Sequence, residues 1–406
     1  MICNHRAVYD RNGVLQPWTT WRDAITREMK WYAACPFDHG FPRFVVMTFM
    51  EGDYSPTIMR PDFIPATQDG MGIISYLKYW RFTGCKDDAT LRIARAMGDF
   101  LLKETNTPGS GKWPDFPRST GRALHFPQPP DCGSQQDRPY EIQPDKGAIV
   151  GDALVRLYDA TKDRRYLDFA VHIARVLVAN MGEGDATHSP WPFRVDYRTG
   201  EPDGPVAANQ SFALRLFDAL LEHGYNEFRA PREKLWAWIK NLQIPDAAKD
   251  GKLWVQFFED YRLVWNRNSW SAMNTARYLL ERKQALDPDW KKDARTLIDF
   301  VNHTFTEVHG GVMTCGEQDD DHDPWGGACS TWGAVLAMYA KATGTDEFKG
   351  LAYQALTYVL YAINDDGCPR DAPFKHGRGG WQEDAHTDKI HNYIDAMTAF
   401  PEWGRK

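Results

Sequence analysis

Three stretches of the chain concentrate side chains that can do chemistry. THSPWPFRVDYRTGE, from Thr187 to Glu201, carries His188, Trp191, Arg194, Tyr197 and Arg198, and Asn209 follows at the head of the next segment. FFEDYRLVWNRNSWSAMNTARYLL, from Phe257 to Leu280, supplies Tyr261, Arg262, Trp265, Asn266, Arg267, Asn268 and Trp270 ahead of a helix expected to begin near Ser271. CGEQDDDHDPWGGACSTWG sets His322 and Trp325 among Glu317, Asp319, Asp320, Asp321 and Asp323. Arg and Asn can neutralise a carboxylate, Tyr and His can move protons, and Trp offers a flat face for a sugar ring. Together these groups would suit an anionic carbohydrate.

Each stretch also has a plainer reading. The first is a surface turn stiffened by Pro190 and Pro192. In the second, Asn268 or Ser269 serves only as a helix cap. The third is a solvated acidic loop, whose carboxylates lack the spacing of a calcium loop. No metal and no cofactor are expected. A further set consists of Asp69 in TQDGMG and Asp145 and Asp152 in QPDKGAIVGD, each near the start of an expected helix. Paired carboxylates hydrolyse glycosidic bonds, but Asp in a first helical turn also simply complements the helix dipole.

The elements that must position these residues are helical. Four segments pair an apolar helix ending in an aromatic with a polar turn and a second amphipathic helix: IISYLKYWRFTGCKDDATLRIARAMGDFLL from Ile73, ALVRLYDATKDRRYLDFAVHIARVLV from Ala153, TARYLLERKQALDPDWKKDARTLIDFV from Thr275 and AVLAMYAKATGTDEFKGLAYQALTYVL from Ala334. Leu154, Leu157 and Tyr158, then Phe169, Ile173, Val176 and Leu177, recur at the helical period. FALRLFDALLEHG with PREKLWAWIKNL gives a further pair, TWRDAITREMKWYAA a helix near the start, and residues 391–398 a closing one. Short strands fit Arg43–Phe49 and Lys252–Phe258.

Hairpins of this kind bury a face against neighbours, either in an open solenoid or in a closed ring. Long connections at Lys112–Pro144, Met181–Val206 and His309–Trp325 argue for the ring, because connections gathered on one side build a cleft. The expectation is an all-α fold, a single (α/α)-toroid domain over residues 1–406, with helix exceeding half of the chain. The inter-helix turns YWRFTGCKDD, LYDATKDRRY and MYAKATGTDEF resemble those of the six-hairpin glycosidase and toroid polysaccharide lyase superfamily, over roughly Asp69 to Leu360. Among toroid lyases the sequence looks most like those that cleave glucuronan or alginate. That resemblance implies a carbohydrate substrate and a cleft at one end of the ring.

Bulk composition narrows the classes further. The 406 residues are 43% hydrophobic and 25% charged, as in an ordinary globular protein, and 16 Trp make it rich in aromatics. A net charge of −7 argues against a nucleic-acid partner, which needs a dense basic surface. Seven scattered cysteines show no zinc or redox spacing, and no apolar run is long enough for a membrane span. No P-loop, dinucleotide fingerprint or nucleophile elbow is present.

The reading of function is β-elimination on a polymer containing glucuronic or mannuronic acid. Tyr261 and His188 share the acid and base roles, Asn209 and Arg267 neutralise the uronate, and His322 assists. Trp191, Arg194, Tyr197, Trp265, Asn268, Trp270 and Trp325 bind substrate. Such an enzyme would be secreted or periplasmic. The alternatives are hydrolysis, as by an unsaturated glucuronyl hydrolase using Asp145 and Asp152, and a toroid that binds glycans without cleaving them.

Overall fold

The computed structural model describes residues 5–34, 37–38, 41–42, 47–50, 56–60, 64–103, 105–119, 137–256, 265–370, 373 and 383–405. Helix α1 (Trp21–Ala34) precedes the hairpins α2 (Pro65–Phe82)/α3 (Asp88–Lys103) and α4 (Pro144–Thr161)/α5 (Arg164–Ala179). Helix α6 (Ser211–Glu222) follows and is paired with α7 (Arg229–Trp238), which runs through a π turn at Ile239–Gln243 into the short α8 (Ile244–Ala247). The hairpins α9 (Ser269–Arg282)/α10 (Trp290–Thr304) and α11 (Gly326–Thr343)/α12 (Lys349–Leu360) come next, and α13 (Glu383–Ala399) ends the set. Helix dominates the described structure, at 59%.

Sequence pattern sorts these helices into two layers. In α4 every residue from Pro144 to Val155 is buried, and in α11 every residue from Gly326 to Ala337. A helix covered on all sides belongs inside. By contrast α5 buries one stripe, Tyr166, Leu167, Ala170, Ile173, Ala174 and Leu177, and leaves its opposite face wet. The inner helices pack in the order α2, α4, α6, α9, α11, α13, and α13 returns to α2, so the ring closes on itself. The remaining long helices lie outside as the second leg of each hairpin. One core runs from Trp21 to Trp403, whose indoles meet edge to face at 5.4 Å.

Inner-to-outer links are short: residues 83–87, 162–163, 223–228, 283–289 and 344–348. Outer-to-inner links are long: 35–64, 104–143, 180–210, 248–268, 305–325 and 361–382. All six inner helices therefore begin at the end of the ring that carries the long connections. Strands are few: Val8–Tyr9 pairs with Leu15–Gln16 ahead of α1, and the other described strands lie in those connections, as in the sheet of Glu141–Ile142, Arg194–Asp196 and Pro202–Asp203 and the hairpin Thr306–His309 with Val312–Cys315.

Several sequence expectations shift. The expected strand at Arg43–Phe49 is found as Met47–Met50, paired with Pro56–Arg60. Within Lys252–Phe258 the described residues form only an isolated bridge, Val255 to Arg267. Helix α9 begins at Ser269, because Asn268 caps it by accepting from the Ser271 amide at 2.7 Å. The closing helix starts at Glu383 and ends at Ala399.

Closure of the ring is polar. On α9, Arg277 Nη1 meets His391 Nε2 at 2.7 Å, Nη2 binds Asn392 Oδ1, and Nε lies 3.6 Å from Asp395. Asp395 also pairs with Lys78 of α2, and Ser75 of α2 bonds His391 Nδ1 at 2.8 Å. Since a guanidinium only donates, His391 Nε2 accepts, so the ring is neutral and its Nδ1–H donates to Ser75. The network joins α9, α13 and α2 across the lumen.

Two predictions follow from these buried charges. Arg277→Met should cost about 3–5 kcal/mol, because it leaves His391 Nε2 and Asn392 Oδ1 without their donor in the interior and takes from Asp395 one of its two cations; the midpoint of urea denaturation measures it, and an unchanged midpoint would refute the role given to this network. Glu28 of α1 is fully buried 3.8 Å from Lys389, and burial, only partly opposed by that ammonium, raises its carboxyl to about 7. A raised acid favours folding while protonated. Its contribution is present below the ordinary value of 4.5 and is lost as pH rises through about 7. Urea midpoints of Glu28→Gln should therefore fall less between pH 4.5 and 7 than those of the wild type.

Candidate functional site

The long-connection end gathers buried polar groups from neighbouring inner helices. Both α2 and α4 start with Pro at the first position, which presets the backbone and sacrifices no needed N–H. Gln68 and Asp69 follow on α2, and Asp145 and Lys146 on α4, all buried. The two helices approach closely where α2 carries Gly70: a Cβ there would lie 2.7 Å from Ile149 Cγ2. Asp69 directly precedes that contact, and Asp145 stands one turn before Ile149.

Asp145 Oδ2 lies 3.1 Å from Lys146 Nζ, whereas Oδ1 has no hydrogen-bond partner among the described residues. Asn209, 2% exposed and two residues before α6, has neither amide atom hydrogen-bonded among the described residues. On α9, Trp270 stacks on Phe212 of α6 at 5.8 Å and donates its indole N–H to Asp388 Oδ2 of α13 at 2.5 Å. Burying unsatisfied polar atoms is costly unless a ligand or water meets them. Five of the six inner helices thus contribute a buried polar residue at or beside the same end, the arrangement expected of a ligand mouth.

The residues singled out from sequence fare unequally. His188 is exposed, with Nδ1 3.2 Å from Asp185, and lines a groove with Ser189 and Pro192. Arg267 and Trp265 line a different cavity, which shares no residue with that groove. Arg267 is clamped on Asp319, with its Nε 3.0 Å from Oδ2 and its Nη2 2.9 Å from Oδ1, and His322 Nε2 lies 3.1 Å from the Asp319 carbonyl. Arg267 and His322 are therefore neighbours, held around one aspartate, and His188 belongs to another surface. Tyr261 lies outside the described residues.

Four of the expected substrate-binding groups need correction. Trp191 is 1% exposed, packed near Phe217 and bonded to the Leu177 carbonyl, so it has no face left for a sugar. Arg194 is buried in an ion pair with Asp137 at 2.8 Å, which commits its charge inside the protein. Tyr197 is buried against Tyr140. Asn268 is the cap of α9, as the plainer reading had it. Trp265, at 63% exposure, does present a face, and Trp325 donates to Asp321 Oδ2 just ahead of α11. The acidic loop spends its carboxylates internally: Asp319 on Arg267, Asp320 on Asn266 and Asp321 on Trp325. Among the described residues no group of His, Cys, Asp and Glu is arranged to hold a metal.

Sequence reasoning missed Lys146, Asp388, Arg277 and His391. A signal existed for the last helix, where Asp388, His391, Asn392 and Asp395 recur at spacings of three and four and so share one helical face. Asp152, offered as a hydrolytic carboxylate, sits at the middle of α4, two turns beyond Asp145, with both oxygens 3.0 Å from Arg156 Nε.

No family model matches the sequence, and no curated protein matches it. Solved structures do match in shape. The cellobiose 2-epimerase of Spirochaeta thermophila is 13% identical, with a TM-score of 0.68 over 94% of this chain and 96% of that one. A family 76 glycoside hydrolase from a bovine Bacteroides thetaiotaomicron strain is 10% identical, with a TM-score of 0.62 over 98% of this chain and 83% of that one. A polysaccharide lyase is 12% identical, with a TM-score of 0.57 over 94% of this chain and 53% of that one. At such identities the likeness is one of fold, and the chain is built as an (α/α) toroid.

Proposed function

We propose that this chain is a carbohydrate-processing enzyme that hydrolyses glycosidic bonds at the long-connection end of the ring, with Asp69 and Asp145 as its acid and base carboxylates. One observation carries the reading: two buried aspartates stand in or next to the first turn of adjacent inner helices, and Asp145 keeps one oxygen without a partner among the described residues. Glycosidic hydrolysis needs two carboxylates flanking the scissile bond, one to protonate the leaving oxygen and one to activate water or attack the sugar. Support for carbohydrate as the substrate class comes from the fold neighbours, which are named as a sugar epimerase, a glycoside hydrolase and a polysaccharide lyase.

Electrostatics favour a neutral sugar over a uronate at this mouth. Among its described charged groups are Asp69, Asp145 and Asp388 against Lys146, while Arg194 and Arg267 are already paired. An anionic substrate would meet excess negative charge.

Asn209 supports a second reading, β-elimination on an acidic polysaccharide. Its buried amide is of the type that neutralises a uronate carboxylate, and Tyr261 would then serve as acid or base. Either reading concerns polymer breakdown, which fits an exported protein. Among the described residues no helix is long and apolar enough to cross a membrane.

The deciding experiment offers the protein neutral mannan and gluco-oligosaccharides beside glucuronan and alginate in heavy-oxygen water. Hydrolysis places solvent oxygen at the new reducing end, whereas elimination produces ultraviolet absorbance and no label. Asp69→Asn and Asp145→Asn should each lower kcat by about 100-fold or more with an unchanged circular dichroism spectrum. Turnover near the wild-type rate in both variants would remove these residues from the mechanism, and absorbance without label would replace hydrolysis by elimination.

A further inference from the structure

The lumen holds a second polar space, displaced from the mouth toward the short turns. This cavity of about 100 Å³ is walled by residues from the middle and later turns of α2 and α4, together with α6, α9 and α13. Lys78, Arg81, Arg156, Arg215 and Arg277 line it, against the carboxylates of Asp152 and Glu281. Asp395 adds a third carboxylate behind Lys78 and Arg277. His391, in the wall as well, is neutral by the hydrogen-bond argument above. Five cations thus face three anions, an excess of positive charge inside the ring.

That excess has a focus. The Arg215 side chain is 8% exposed, and its Nη1 binds Glu281. Its Nη2 is buried with no hydrogen-bond partner among the described residues. A guanidinium edge buried without an acceptor costs free energy that a bound anion would recover. Nearby cations also lack full compensation: burial lowers the Lys78 ammonium below its usual value even though Asp395 opposes this. Burial would raise the Glu281 carboxyl, yet Arg215, Lys78 and Arg156 hold it down to about 2, a measure of the positive field it sits in. Access exists, since the side chains of Lys78, Arg156 and Glu281 are about a third exposed, at 31%, 32% and 36%.

We propose that this cavity binds a small tetrahedral oxyanion, phosphate or sulfate, either free or carried on a sugar, with the Arg215 guanidinium as its principal donor group and Arg277, Arg156 and Lys78 around it. Guanidinium forks match the geometry of such ions and prefer them over spherical anions such as chloride. The volume admits one ion or a terminal phosphate group but not a sugar ring beside it, so any sugar would extend toward the short-turn end. The site is separate from the aspartates of the mouth, and its occupancy does not depend on which reaction occurs there.

Thermal unfolding of the full chain with inorganic phosphate, at ionic strength held constant with sodium chloride, tests this. Binding to the folded state alone should raise Tm once phosphate exceeds Kd and then in proportion to the logarithm of its concentration, by about 2–4 °C at about a hundredfold excess over Kd. Arg215→Gln should abolish that rise. Because that variant also frees Glu281 and destabilises the ring, calorimetric titration of Arg81→Gln, whose side chain is exposed at the cavity rim, provides an independent check. Its affinity for phosphate should fall by about 10-fold. A hexose phosphate that binds more tightly than inorganic phosphate, with the same dependence on Arg215, identifies a phosphorylated sugar as the ligand; equal affinity identifies the free ion. No rise in the wild type beyond that given by sodium chloride at the same ionic strength, or the same rise in Arg215→Gln, overturns the proposal.

Discussion

A ring of helices must join its last member to its first, and here that joint is made by charge. Arg277 on α9 reaches His391, Asn392 and Asp395 on α13, and the same α13 face takes Ser75 and Lys78 of α2. Apolar packing alone drives helices together without specifying which pair meets in which register. A buried polar network has few satisfied arrangements, so it fixes the rotation and the height of three helices at once. Everything at the mouth inherits that register, including the contact of Trp270 on α9 with Asp388 on α13.

Ring closure also divides the lumen into two chemical regions. At the long-connection end the inner helices begin, their free N–H groups and positive dipole ends stand together, and aspartates collect there. Toward the short turns the same helices carry Lys78, Arg156, Arg215 and Arg277. Cations outnumber carboxylates in this second region, where Asp152 and Glu281 are the anions among the lining residues and Met71, Ile74 and Phe212 supply apolar wall.

The fold neighbours are named for epimerisation, hydrolysis and elimination, so the toroid by itself selects none of them. What distinguishes the reactions is which groups stand at the mouth. In this chain Arg194 and Arg267 are bound to Asp137 and Asp319, and the lumen histidine has both nitrogens engaged. The first turns of α2 and α4 bring the carboxylates of Asp69 and Asp145 to the long-connection end.

The sequence by itself determined the helical hairpins, their closure into a ring and the end at which the long connections gather. Helical periodicity is written within a dozen or so neighbouring residues, and Pro, Gly and aspartate at helix starts are local signals. Asp69 and Asp145 were legible for that reason. Only the tertiary structure decided which aromatic and charged residues are available. Trp191 and Trp265 look alike in sequence, yet one is core and the other 63% exposed. Arg194 and Asp137 are 57 residues apart, Arg267 and Asp319 are 52, and Ser75 and His391 are 316. A side chain is free or committed according to the partner that folding brings to it. That partner is set by the register of the closed ring, a property of all the helices together that no single stretch of sequence contains.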